Sequence, residues 1–354
     1  MRRFPALISL LTLSAAAAIG LLAGCTSGST IAPKPAVLES GAQLPMDRVA
    51  GVFKPSGLAG ISIRPARHFT AFDACPATRT IEYVSDYNNG VIDIFAGKFA
   101  GQKPCGMLTS GLSGPSGLYV QPATHDVYVA NFLGFDVLVF HRGQTTPYNT
   151  YTDPTGHPPR FGINPLGVTV ARDGTVIASN KSTSYSGSGS LSTWIEGANG
   201  GTFVGNFPMT NDNYGGFVTV RRNGLVYYND IEGGSGFGAI WSLSCPAGQC
   251  GAQTQVNISC CFDIGGMAID ETGDLLFSNG NGFAETFELP NPSPQSFTMR
   301  GTTYGMAINE RNNHWFAADY QFNDAEEYAY PSGTLVGTVK GNSRGAPLGI
   351  AVDP

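Results

Sequence analysis

The stretch PLGVTVARDGTVIASN, residues 165–180, decides the fold. Gly167 opens a run of alternating side chains, the tight turn Arg172-Asp173-Gly174 follows, and a second apolar run ends in Asn180. Period-two alternation on both sides of an Asp-Gly turn specifies a β-hairpin. The opening glycine returns as Gly117, Gly216, Gly266, Gly305 and Gly349, so that from Gly117 onward the steps are 50, 49, 50, 39 and 44 residues. Those steps match the length of a four-stranded propeller blade, about 40–50 residues.

The second run is repeated too, as VYVAN (127–131), VYYND (226–230), LLFSN (275–279) and WFAAD (315–319). A third alternating run follows, as in DVLVF (136–140), AIWSL (239–243), ETFEL (285–289) and EEYAY (326–330). One further copy of the second and third runs, IEYVSDYNNGVIDIF (81–95), stands near the start with only a poor opening phrase at 69–72 before it. Conversely, the opening phrase PLGIAVD (347–353) has nothing after it. Joining the two removes an exposed sheet edge. The expected fold is therefore all-β, a six-bladed β-propeller over residues 46–354, closed by a C-terminal strand that completes the first blade.

Residues 1–24 have the form of a secretory signal: Arg2 and Arg3, an apolar stretch, then Leu22-Ala23-Gly24-Cys25. The last four residues resemble the lipobox of bacterial lipoproteins. That resemblance implies acylation of Cys25 and an exported protein anchored to the cell-envelope membrane rather than spanning it; in a Gram-negative cell Thr26 is compatible with the outer membrane. Residues 25–45, rich in small residues and proline, are expected to form a flexible tether reaching about 25 Å.

Charged residues make up 13% of the chain, and without the signal 18 basic residues face 26 acidic ones, a net charge of −8. Nucleic acid is thereby excluded as a main partner, because its recognition needs clustered basic side chains. A monomer is expected. Six further cysteines, Cys75, Cys105, Cys245, Cys250, Cys260 and Cys261, point to disulfides in an exported chain. Cys75 and Cys105 bracket the first repeat as a natural pair. Cys245 and Cys250 flank a turn and can close it, leaving Cys260 with Cys261, or these four can pair across.

YVSDYNNGVIDIF (83–95) resembles an NHL repeat, and PLGVTVARDGTVIAS (165–179) resembles the repeats of streptogramin-lyase-like and gluconolactonase-like propellers. Ligands of such propellers bind on the face bearing the turns after each second strand and the loops leading into each first strand. The turn heads are Asp86, Asn131, Asn180, Asp230, Asn279 and Asp319. Asn and Asp in such places cap turns by bonding nearby backbone N–H groups, so this ring is expected to be structural. Residues that differ between repeats are the candidate ligand contacts: Asp153, His157, Arg160, Asp212, Tyr214, Asp263, Arg300, Tyr304, Tyr320 and Arg344.

Gluconolactonase-like propellers hold a divalent cation with Glu, Asn and Asp, but their signature is not matched here. Streptogramin lyases use a histidine near the axis. Here His125 and His314 fall in turns at the opposite face, His141 ends a third strand, and only His157 is on a suitable loop. No nucleophile-elbow, zinc-protease, phosphate-loop or calcium-loop motif is present in the sequence. The expected function is a non-enzymatic module binding a glycan, peptide or envelope protein, without a metal or other cofactor. The alternative is a lactonase or lyase using a calcium or magnesium ion held by Asp and Asn near the axis.

Overall fold

The computed structural model describes residues 75, 80–97, 99, 101–155, 164–181, 189–209, 216–230, 239–256, 264–279, 283–287, 295–340 and 345–353. The signal, Cys25, the tether and the phrase at 69–72 lie outside them.

The strands form an all-β propeller arrangement of antiparallel four-stranded sheets. Strands β1 (Ile81–Asp86), β2 (Val91–Ala96) and β3 (Gly106–Leu108) begin the first sheet. The second contains β4 (Pro115–Gln121), β5 (Asp126–Asn131), β6 (Asp136–Phe140) and β7 (Asn149–Thr152). The third contains β8 (Asn164–Val170), β9 (Thr175–Lys181), β10 (Ser190–Ile195) and β11 (Thr202–Pro208). The fourth contains β12 (Val218–Val220), β13 (Leu225–Asp230), β14 (Ala239–Ser244) and β15 (Thr254–Val256). The fifth contains β16 (Ile264–Ile269), β17 (Leu275–Asn279), β18 (Phe283–Phe287) and β19 (Gln295–Thr298). The sixth contains β20 (Thr303–Ile308), β21 (His314–Asp319), β22 (Asp324–Ala329) and β23 (Thr334–Val339). Finally β24 (Pro347–Asp353) pairs with β1, giving the first sheet the order β24-β1-β2-β3.

The innermost strands neighbour one another in turn, β24 beside β4, β4 beside β8, β8 beside β12, β12 beside β16, β16 beside β20 and β20 beside β24. This close approach explains the repeated glycine. A Cβ on Gly117 would lie 2.6 Å from the Leu166 carbonyl oxygen and 2.7 Å from Gly167 Cα, and one on Gly349 would land on the Ser116 carbonyl. Sheets stacked on both sides also explain why β5 and β9 are buried along their whole length. Apolar clusters fill the spaces between sheets. One joins Tyr83, Ile92 and Ile94 to Val127, Val129 and Leu138, and another joins Leu276 and Ala284 to Trp315, Ala317 and Tyr328. Trp315 and Tyr328 stack with centroids 4.1 Å apart.

The Cys75–Cys105 and Cys245–Cys250 disulfides are formed. The first closes a loop of 30 residues, a restriction of the unfolded chain by about 3–4 kcal/mol. Cys260 and Cys261 lie outside the described residues.

At the end of the sheets away from the turn heads, the first and sixth sheets meet through carboxylates. Glu327 accepts the Phe99 N–H at 3.0 Å and contacts His314 Nδ1 at 2.5 Å. Glu82, only 2% exposed, lies near it, with Oε2 unpartnered among the described residues. Burial, reinforced by the Glu327 charge, raises the Glu82 pKa to about 9. A carboxyl raised in the folded state holds a proton that the unfolded chain releases above pH 4.5. Its contribution to stability is therefore complete below that pH and declines as pH rises through about 9. Glu82→Gln should stabilise the protein at about pH 8 by on the order of 2 kcal/mol. It should change little at pH 4.5, where the carboxyl of the unfolded chain is already half protonated. Urea melts at the two pH values check this; an equal effect at both would refute it.

Candidate functional site

Each described turn-head side chain is engaged with its own surroundings. Asp86 accepts the Asn89 backbone N–H at 3.1 Å and the Asn89 side-chain amide at 2.9 and 3.0 Å. Asn131 accepts the Ser113 N–H at 2.6 Å and donates to the Gly111 carbonyl and the Asp136 carboxylate. Asn180 donates to Ser190 Oγ at 3.1 Å and to Ser192 Oγ at 2.7 Å. Asp319 accepts the Phe322 N–H at 3.0 Å. Asp230 and Asn279 end β13 and β17, and their side chains lie outside the described residues.

The sixth sheet departs from this pattern. Asp319 ends β21, Asp324 opens β22, and Glu326 follows two residues later on the same face. All three are buried, and one carboxylate oxygen from each lies within 4.8 Å of the others. Arg300, in the segment before β20, reaches Asp324 Oδ2 at 3.1 Å and Glu326 Oε1 at 3.3 Å. Its guanidinium lies over Phe322, 4.9 Å from the ring centroid. The Arg300 side chain is 37% exposed, and Phe322 is 42% exposed. The Tyr328 hydroxyl donates to Glu326 Oε2.

Electrostatics follow from this packing. Burial raises the Glu326 pKa to about 7; Asp319 and Asp324 add to the rise, while Tyr328 and Arg300 oppose it. Burial also raises Asp319 and Asp324, the latter against the pull of Arg300. Burial works against the charge on Arg300, but the carboxylates beside it prevail and raise its pKa. Asp324 also lines a small solvent-open cleft between the first and sixth sheets, with Asp86, Asp93 and Asn323.

Of the residues singled out from the sequence, the structure brings together Arg300 and Asp319, with Tyr320 beside them. Tyr304 lies within β20 rather than in an exposed loop; it is buried, edge-on to Tyr320 at 5.6 Å. Asp153 is also buried rather than presented on the rim. It accepts from Ser192 Oγ at 2.6 Å, Asn206 Nδ2 at 2.7 Å and Thr155, and these bonds outweigh burial and lower its pKa. His157, Arg160, Asp212, Tyr214, Asp263 and Arg344 lie outside the described residues. Sequence reasoning missed Phe322, Asp324 and Glu326. The signal was the run DYQFNDAEE (319–327), the most acidic of the turns.

His125, His141 and His314 each direct Nδ1 to a carboxylate, respectively Asp353, Asp126 and Glu327, at the opposite end of the sheets.

No protein-family model matches the chain, and no curated protein sequence matches it. Solved structures do. A chain of a nidogen/laminin complex is similar at 12% identity, with 78% of this chain and 98% of that one covered and a TM-score of 0.60. The hydrazine synthase of Kuenenia stuttgartiensis is similar at 12% identity over 76% of this chain and 85% of that one, with a TM-score of 0.54. Virginiamycin B lyase from Staphylococcus aureus aligns at 13% identity over 65% and 70%, with a TM-score of 0.46. At such identities the likeness is one of fold alone.

Proposed function

We propose that this chain is a lipoprotein of the cell envelope, held by a lipid on Cys25 and a tether over 25–45, whose propeller is a non-enzymatic binding module. On this reading the sheets are six blades of NHL type, and the pairing of β24 with β1 is the closure. The observation that carries the binding role is Arg300. Its guanidinium is half-exposed, braced from below by Asp324 and Glu326 and flanked by the exposed ring of Phe322. A guanidinium held beside an aromatic surface offers stacking and remaining N–H donors to a polar ligand with a planar or hydroxyl-rich group, such as a glycan or a peptide. Phe135, 47% exposed at the corresponding turn of the second sheet, adds apolar contact area on the same face.

Two experiments test the two halves. Cys25→Ser should move the protein from the membrane fraction to the soluble one; retention in the membrane refutes the anchor. Arrays of glycans and peptides should give ligands whose affinity falls by about 1–3 kcal/mol on Arg300→Ala. Ligands bound equally by that variant would refute the assignment of the face.

A further inference from the structure

The three positions that close the turn between second and third strands are filled differently in three of the sheets. In the third sheet they hold Asn180, Ser190 opposite it, and Ser192 two residues on. In the second they hold Asn131, Asp136 and Leu138. In the sixth they hold Asp319, Asp324 and Glu326.

In the first two cases an asparagine supplies the donors. Asn180 Nδ2 satisfies both serine oxygens, and Asn131 Nδ2 meets the Asp136 carboxylate at 2.7 Å. In the sixth sheet the asparagine is replaced by Asp319, and all three positions become acceptors. Asp319 and Glu326 are 0% exposed and Asp324 is 3% exposed. Asp319 Oδ2, Asp324 Oδ1 and Glu326 Oε1 have no hydrogen-bond partner among the described residues. Arg300, paired with Asp324 and Glu326, and Lys340, acting on Asp324, offset part of this negative charge, while these three oxygens are left without a hydrogen-bond donor among the described residues. Buried charges without partners are strongly disfavoured.

A divalent cation supplies the missing charge. Three carboxylates are hard oxygen ligands, which suit calcium or magnesium rather than zinc or copper. Ligand oxygens on opposite sides of calcium stand roughly 4.6–5.2 Å apart, and those around magnesium at most about 4.2 Å. The three oxygens lie within 4.8 Å of one another, which suits calcium when the carboxylates span the ion and magnesium when they sit on one side of it. Asp324 also lines a neighbouring cleft that is open to solvent.

We propose that Asp319, Asp324 and Glu326 form a site for a hard divalent cation, calcium or magnesium, in which Arg300 stays paired with Asp324 Oδ2 as part of the wall. The site shares Arg300 with the exposed face, and ion binding tests it apart from any ligand which that face takes.

The full-length chain, purified in detergent and stripped with chelator, is titrated with terbium and with calcium. Terbium bound to Glu326 should luminesce on excitation of tyrosine, since the Tyr328 hydroxyl touches that carboxylate. One ion per chain is expected, displaced by calcium, with melting raised by roughly 5 °C at about 1 mM calcium. Asp319→Asn copies the arrangement of the second and third sheets. It should weaken calcium binding by about tenfold or more, since affinity follows ligand charge. In chelator it should melt at or above the wild type, because it removes one buried charge. Glu326→Gln gives the same comparison if Asp319→Asn does not fold. Absence of terbium luminescence and of any calcium effect on melting would overturn the proposal. So would wild-type calcium affinity in the folded variant.

Discussion

Deletion of residues 347–354 is expected to abolish the single cooperative unfolding transition of the propeller. Strand β24 pairs with β1 from Pro347 to Asp353, and it is the innermost strand of the first sheet. Its Gly349 N–H donates to Ser85 Oγ at 2.7 Å. Leu348, Ile350 and Ala351 are buried. Asp353, fully buried, meets Arg142 at 2.9 Å and His125 at 2.6 Å, both from the second sheet. Without the strand, β1 presents an unpaired edge, the apolar contacts are lost at about 2 kcal/mol for each large side chain, and a buried ion pair is broken. The combined loss is on the order of 10 kcal/mol, comparable with the whole stability of a typical domain. Thermal melts followed by far-ultraviolet circular dichroism decide the matter. A truncated chain that melts in one transition close to that of the intact protein would show that β24 is dispensable.

Gly349→Ala is the second large effect. A methyl group at this position would occupy the space of the Ser116 carbonyl on β4, next to Gly117 Cα. Neither is a side chain that can swing aside, so two innermost strands must move apart. Overpacking against backbone belongs to the upper range of single substitutions, about 4 kcal/mol or more. Gly224→Ala provides the contrast. Gly224 has φ of 84° and open space around its absent Cβ. Its substitution should cost only about 1 kcal/mol, the penalty of a left-handed conformation for alanine. Urea denaturation of both variants checks the ordering, and equal losses would refute the close approach of the innermost strands.

That contact is the reason the arrangement of sheets was legible in the amino-acid sequence at all. Gly117, Gly167 and Gly305 answer to the same demand, since each would place its Cβ against the backbone of the next innermost strand. A demand repeated by each sheet leaves a period in the chain. The acidic site had no comparable signature. EEYAY (326–330) was legible as a third strand but gave no sign that Glu326 and Glu327 would be buried. In an isolated sheet one face is wet, whereas here neighbours cover both faces of β22. Asp153 likewise looked like a loop residue. The partners that bury it, Ser192 and Asn206, are 39 and 53 residues away and belong to the next sheet. Local pattern carries the identity of a strand, but not what the adjacent layer brings against it.

If the pairing of β24 with β1 is the closure proposed above, it also sets when the protein can finish folding. Synthesis runs from the amino end, so β1 exists long before residues 347–353 do. At about 5–20 residues per second the wait is on the order of tens of seconds. Throughout it β1 carries an open strand edge, the kind that invites pairing with a second nascent chain. The contact that ends the wait joins residues more than 260 positions apart, as between Ser85 and Gly349, and such distant closures form slowly. The seam is thus a checkpoint in time as much as a joint in space. Chains released early, or produced faster than the seam can close, would be the ones to aggregate.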